Sequence, residues 1–145
     1  MYEFKVKYTD FNDQDREEML HFHYTEDELL SWQTQNGSLV NYLERMVNQF
    51  NAQELMEWLS SFIIGAYGIK SDDGRVFDKS SPLVKSFKDS IPFHTYFKII
   101  LSNKDEAEKF IMGVVPKKFK EEITKELAKN STIPASTSPI TNPNT

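Results

Sequence analysis

Residues 62–87 read FIIGAYGIKSDDGRVFDKSSPLVKSF, and the change of character along this stretch sets the fold. Its first residues, Phe62, Ile63 and Ala66, continue an apolar stripe begun at Leu55, Trp58 and Leu59, which is the 3.6-residue periodicity of a helix buried on one side. Gly68 then stands where a left-handed helix cap falls. Residues 69–79 are polar and contain Asp73-Gly74, a tight-turn dipeptide because glycine accepts positive φ without steric cost, so a short hairpin is expected there. Ser81-Pro82 restarts a short helix, with serine as cap and proline at the first helical position, where its missing N–H costs nothing. The stretch therefore predicts a helix end, a tight turn and the start of a second helical layer.

Toward the amino terminus the period changes to two. Tyr2, Phe4, Val6 and Tyr8 share one parity and Glu3, Lys5 and Lys7 the other, the pattern of a half-buried strand. Residues 19–24 form a second run with Leu20, Phe22 and Tyr24 on one face, and the polar residues 10–15 predict the turn of an antiparallel hairpin. A register opposing Val6 to Leu20 and Phe4 to Phe22 would lay the aromatic face on the helices that follow.

Thr25-x-x-Glu28 is a capping box and opens the helical part. Gly37-Ser38 interrupts it. Leu39, Leu43, Met46, Val47 and Phe50 then fall on one helical stripe, and Asn51-x-x-Glu54 opens the next helix. Further on, Pro92 begins a helix with the stripe Phe93, Tyr96, Phe97 and Ile100. Asn103-x-x-Glu106 precedes Ala107, Phe110, Ile111 and Val114, and Gly113 with Pro116 ends that helix. Residues 117–129 carry only Phe119, Ile123 and Leu127 on an apolar side. Residues 130–145 are almost all Ser, Thr, Pro and Asn, the composition of a disordered tail. The expected class is mainly α with an N-terminal antiparallel β-hairpin (α+β): a hairpin over 1–24 packed on a helical domain of about six helices over 25–129, then the tail.

With 145 residues, 39% hydrophobic and 13% aromatic including eleven Phe, the chain has material for one ordinary core. No cysteine is present, which removes disulfide scaffolds and thiolate chemistry and fits a reducing compartment. The amino terminus alternates instead of showing a basic segment and an apolar run. No apolar stretch approaches the ~20 residues of a spanning helix, so neither classical export nor a membrane span is expected. A net charge of −5 argues against general affinity for phosphate backbones.

Candidate chemistry is sparse. His21 and His23 share a strand parity, but the expected cross-strand neighbours are Glu3 and Lys5, with no third ligand. The acidic turn of Asp10, Asn12, Asp13 and Asp15 lacks the glycine and closing Glu of a calcium loop. His94 has no nucleophile or carboxylate at a triad-like spacing. No metal, cofactor or catalytic residue is expected. Gly65-Ala66-Tyr67-Gly68 matches the Gly-x-x-Gly clamp of nucleic-acid-binding KH modules in outline, which makes a small nucleic-acid-binding regulator, using that loop with Lys70, Arg75 and Lys79, the alternative function.

Gly65-Ala66-Tyr67-Gly68, then Lys70-Ser71-x-Asp73-Gly74-Arg75-x-Phe77-x-Lys79-Ser80, then Leu83 and Phe87, resembles tail assembly chaperones of long-tailed, siphovirus-type bacteriophages. Phe93, Tyr96-Phe97 and Phe110-x-x-Gly113-Val114-Val115-Pro116 continue the resemblance in order. It implies a non-enzymatic protein of the infected bacterium's cytoplasm, absent from the mature virion. Such a protein binds the tape measure protein, keeps it soluble and helps the tail tube polymerise around it. The resemblance also implies self-association and a longer, frameshifted form of the chain. Tyr67, Lys70, Arg75, Phe77, Lys79, Phe93 and Tyr96 are the candidates for partner contact, and Gly65, Gly68, Asp73, Gly74, Ser81, Pro82, Gly113 and Pro116 are the structural positions.

Overall fold

In a computed structural model of the chain, residues 1–41, 44 and 52–132 are described, with side chains as far as residue 125. The expected stripe of Leu43, Met46, Val47 and Phe50, the Asn51 box and the tail from residue 133 lie outside them.

Strands β1 (Tyr2–Thr9) and β2 (Asp15–Phe22) form the antiparallel hairpin that the alternation predicts. The register differs by two residues from expectation: Phe4 faces Leu20, Tyr2 faces Phe22 and Val6 faces Glu18. The cause is a shorter turn. The Asp10 carboxylate accepts from the N–H groups of Asn12 and Gln14, and the Asp10 N–H donates to the Gln14 carbonyl at 2.8 Å, so the turn closes before Asp15 and polar residues become strand. A slip of two keeps parity, so Val6, Leu20 and Phe22 are buried as expected. Lys5 and Lys7 pair across the strands with Glu17, instead of with a histidine.

Helix α1 (Glu26–Asn36) starts on the predicted box: the Glu28 N–H donates to Thr25 Oγ1, and the Thr25 N–H donates to Glu28 Oε1 at 2.8 Å. Gly37, with φ 93°, ends it. Helix α2 (Ala52–Ala66) buries Trp58, Leu59, Phe62, Ile63 and Ala66, the predicted stripe.

The largest departure from expectation follows α2. Gly68 does not cap the helix; it lies in strand β3 (Tyr67–Lys70), which begins directly after Ala66. β3 pairs with β2 through His21 and Phe22 on one side, and with the short strand β4 (Phe77–Asp78) on the other. The sheet therefore has four strands in the order β1-β2-β3-β4. Gly68 is required for a different reason: a Cβ there would stand 2.7 Å from two carbons of the Phe77 ring.

Helix α3 (Pro82–Lys85) is capped by Ser81, and a 3-10 turn over Phe87–Asp89 leads to α4 (Ile91–Ser102), capped by Ser90. Helix α5 (Lys104–Val114) buries Phe110, Ile111 and Val114. Gly113 lies inside that helix instead of ending it, and the Tyr2 ring packs against it. Helix α6 (Lys117–Thr132) runs past the expected end at Lys129. The chain is thus mainly α with an N-terminal hairpin that opens a small sheet.

Two compact units divide the chain. The first joins residues 1–24 to 52–114, and the second joins 25–51 to 115–145. The core of the first unit is aromatic: the buried Phe22 ring lies 5.2 Å from Tyr96, 5.1 Å from Phe110 and 5.9 Å from Tyr67. Each fully buried ring contributes about 1.5–3 kcal/mol by transfer from water alone, so this cluster dominates the unit's stability. In the second unit Leu29, Leu39, Val115, Phe119 and Ile123 are buried, and Lys118 pairs with Glu26 at 3.4 Å.

Candidate partner-binding surface

The motif residues from Gly65 to Ser81 go mostly into local architecture. The Asp73 carboxylate accepts from the Arg75 N–H at 3.0 Å and from the Ser71 hydroxyl at 2.7 Å, bonds that hold it below the usual carboxylate pKa. Gly74, with φ 77°, completes the turn, and Ser71 and Val76 close it by exchanging two hydrogen bonds. Asp78 accepts from the N–H groups of Ser80 and Ser81, which likewise lowers its pKa and aims Ser81 at the N–H of Val84.

Lys79 also faces inward. Its ammonium donates to the Gly65 carbonyl at 2.9 Å, in the last turn of α2, and lies 4.7 Å from the centre of the Tyr24 ring. A cation there satisfies a carbonyl that has no partner within the helix and opposes the negative end of its dipole. Gly65 leaves room for Tyr24, whose hydroxyl donates to the Phe62 carbonyl at 2.7 Å.

The remaining contact candidates separate by exposure. Phe93 and Tyr96 are core residues, 4% and 0% exposed, so as placed they offer no surface. Tyr67 is half-buried and stacks on Phe87 at 3.7 Å; Phe77 is half-buried over Gly68. Lys70 is exposed and binds the Glu3 carboxylate at 3.3 Å, which His21 reaches at 3.0 Å; this pairing lowers the pKa of Glu3. Arg75 is exposed at the tip of the β3–β4 turn, beside Val76 at 56% exposure.

Sequence reasoning left two exposed apolar residues out of the contact candidates: Met19, and Leu83, which it had placed in the motif. They line a groove of roughly 450 Å³ whose walls include Tyr67, Lys70, Phe87 and Pro92. Parity could have marked Met19, because it lies opposite in phase to the buried Leu20. A second feature was also missed. Glu106, expected to complete a capping box, receives the Asn103 cap at its N–H but sends its carboxylate to the hydroxyls of Tyr2 and Tyr96. Burial, with the Glu106 charge and hydrogen bond adding to it, pushes both phenols above their usual pKa.

His23 lies beyond the end of β2, and its N–H donates to the Ala66 carbonyl. Among the described residues no group of three His, Asp or Glu could hold a metal ion. The Gly-x-x-Gly segment forms no clamp loop, since Gly65-Ala66 ends a helix and Tyr67-Gly68 is strand. No helix among the described residues is long and apolar enough to cross a membrane.

These elements define a small α+β domain whose recognisable motif builds a turn and a helix junction beside an open, shallow groove. The chain belongs to the phage tail assembly chaperone family: the family model of that description matches residues 1–144. Comparisons with curated proteins and with solved structures gave no match.

Proposed function

We propose that this chaperone acts without catalysis by binding the tape measure protein, keeping it soluble and promoting polymerisation of the tail tube around it. Family membership over residues 1–144 carries the reading. The exposed apolar residues Phe11, Met19, Val76 and Leu83 support it, because a holding protein needs apolar surface to offer a client. Tyr67, Lys70, Arg75 and Phe77 are the motif side chains proposed to meet the partner, directly or by shaping the groove. Lys79, Phe93 and Tyr96 support that surface from beneath.

A tape measure protein is a very long helical chain with apolar stripes that would aggregate before tube subunits cover it, and aromatic and aliphatic grooves shield such stripes. Covering it takes many copies, so self-association and a longer, frameshifted form belong to the same proposal. The site of action is the host cytoplasm, and the chaperone leaves before the virion is finished.

Co-expression with the tape measure protein of the same genome tests the reading. The tape measure protein is expected to move from the pellet to the soluble fraction and to co-purify with the chaperone. An unchanged pellet and no co-purification would overturn it.

A further inference from the structure

Strand β2 has an open edge. On one side β1 pairs with all of it, whereas on the other β3 pairs only with His21 and Phe22 and then turns away to β4. The phase of the ladder follows from its ends. The His23 N–H donates to Ala66 and the Asp10 N–H donates to Gln14, so odd residues of β2 direct their main-chain groups toward the β3 side and even residues toward β1. Beyond His21, the N–H and C=O groups of Met19 and Glu17 therefore face outward. Among the described residues they have no ladder partner, and residues 15–19 are all exposed.

The groove lies against this edge. Glu18, Met19 and His21 of β2 form one wall, Ile69 and Lys70 of the diverging β3 the other, and Leu83, 69% exposed, stands at its lip. Outward main-chain donors and acceptors beside an apolar groove are satisfied by an extended chain; a helix has spent its own main-chain groups and cannot pair with them.

A second copy of β2 does not suit the edge. Pairing about a two-fold centred on Arg16 sets Arg16 against Arg16, centring on Glu17 sets Glu17 against Glu17, and centring on Glu18 sets Glu18 against Glu18. Centring on Met19 would need Glu17 to pair with His21, which Gly68 already occupies. Like charges directly opposite destabilise a sheet, and charged edges are a known defence against self-pairing. Residues 15–19 carry Asp15, Glu17 and Glu18 against Arg16, with Lys5 and Lys7 of β1 reaching Glu17, and with Lys70 at the far end of the groove.

We propose that the open edge of β2 and the adjoining groove receive an extended segment of another protein, with alternating apolar and basic residues, as an added strand. Its apolar side chains would pack against Leu83, Phe87 and Tyr67 on the face that Glu18 shares, and its Lys or Arg, on the opposite face, would stand beside Asp15 and Glu17. The surface is distinct in kind from a helix-binding groove, and the test does not depend on the tape measure reading.

The probe is a fluorescein-labelled nine-residue peptide alternating valine and lysine, titrated into the full chain. Binding is followed by anisotropy and by NMR amide exchange. Saturable binding is expected, with exchange at Glu17 and Met19 slowed at least tenfold. A peptide with glutamate for lysine, and one N-methylated at the lysine main-chain nitrogens so that it cannot donate toward β2, should each bind at least tenfold more weakly. Glu17→Lys and Leu83→Asp, both at exposed positions, should each weaken binding at least fivefold while leaving the far-ultraviolet circular dichroism unchanged. The proposal is overturned by absence of binding, by equal binding of the N-methylated peptide, or by binding that leaves Glu17 and Met19 exchanging at their free rates. Slowed exchange at these two amides on raising protein concentration alone would also overturn it, by showing that copies of the chain take the edge.

Discussion

Replacing Gly113 with alanine should destabilise the chain, and the sign of that effect should reverse when Tyr2 is removed. Gly113 lies near the end of α5 without positive φ, so alanine is allowed by the backbone and should gain up to about 1 kcal/mol in helix propensity. Against this, the added Cβ would stand 2.5 Å from Tyr2 Cδ1, 2.9 Å from Cγ and 3.0 Å from Cβ. These atoms lie at the root of the side chain and cannot swing aside. The ring is also held edge-on by Phe110 at 6.0 Å, and its hydroxyl is bound to Glu106. Overpacking of this kind costs about 1–3 kcal/mol, so Gly113→Ala alone should cost up to about 2 kcal/mol after the propensity gain. In a Tyr2→Gly background all three atoms are gone, and the same substitution should stabilise by about 0.5–1 kcal/mol. Urea denaturation of the wild type, both single variants and the double variant closes the cycle. An equal loss from Gly113→Ala in both backgrounds would refute close approach by Tyr2 as the reason for this glycine.

Thr25→Ala removes the side-chain half of the capping box of α1, the hydroxyl that accepts from the Glu28 N–H, and should lower stability by about 1 kcal/mol, read as a lower urea midpoint at unchanged slope. Gly74 has open space around it and φ 77°, so Gly74→Val should cost at least about 1 kcal/mol through the backbone alone while Gly74→Asn costs less, a ranking that thermal melts will check. The pKa values of Tyr2 and Tyr96 are raised in the folded chain above the ordinary 10.0, so their contribution is complete below about pH 10 and is lost as pH rises beyond it. Urea midpoints between pH 9 and 11 should therefore fall more steeply for the wild type than for Tyr96→Phe, and parallel curves would contradict this.

What could be read from the residues followed their range of action. Alternation in β1, the Thr25 box, the stripe of α2 and the Ser81 cap depend on neighbours a few residues apart, and each is where the pattern predicts. The short hairpin expected over residues 69–79 is present as β3 and β4, but the start of β3 was hidden because Tyr67-Gly68 follows the apolar face of α2 with no breaker between, and Gly68 has the sequence context of a helix cap. Gly65, Gly68 and Gly113 are answered by Tyr24, Phe77 and Tyr2, so their meaning lies in rings that only the fold brings near. Glu106 satisfies a capping pattern on paper, yet its carboxylate serves two tyrosines. The same range effect divides the surface. The motif identified the β3–β4 turn, but the groove depends on β2 and β3 diverging, which no local spacing encodes.

The partnership of Tyr2 with Glu106, Phe110 and Gly113 also has a meaning in time. A ribosome delivers β1 first and α5 some hundred residues later, and the first unit cannot close until the segment up to Val114 has emerged. Until then the aromatic face of the hairpin waits uncovered, and closure must draw together the ends of a long loop, a slow route by contact order. A protein whose proposed task is to shelter the apolar surface of another chain must itself hold β1 unsheltered until Val114 has been made.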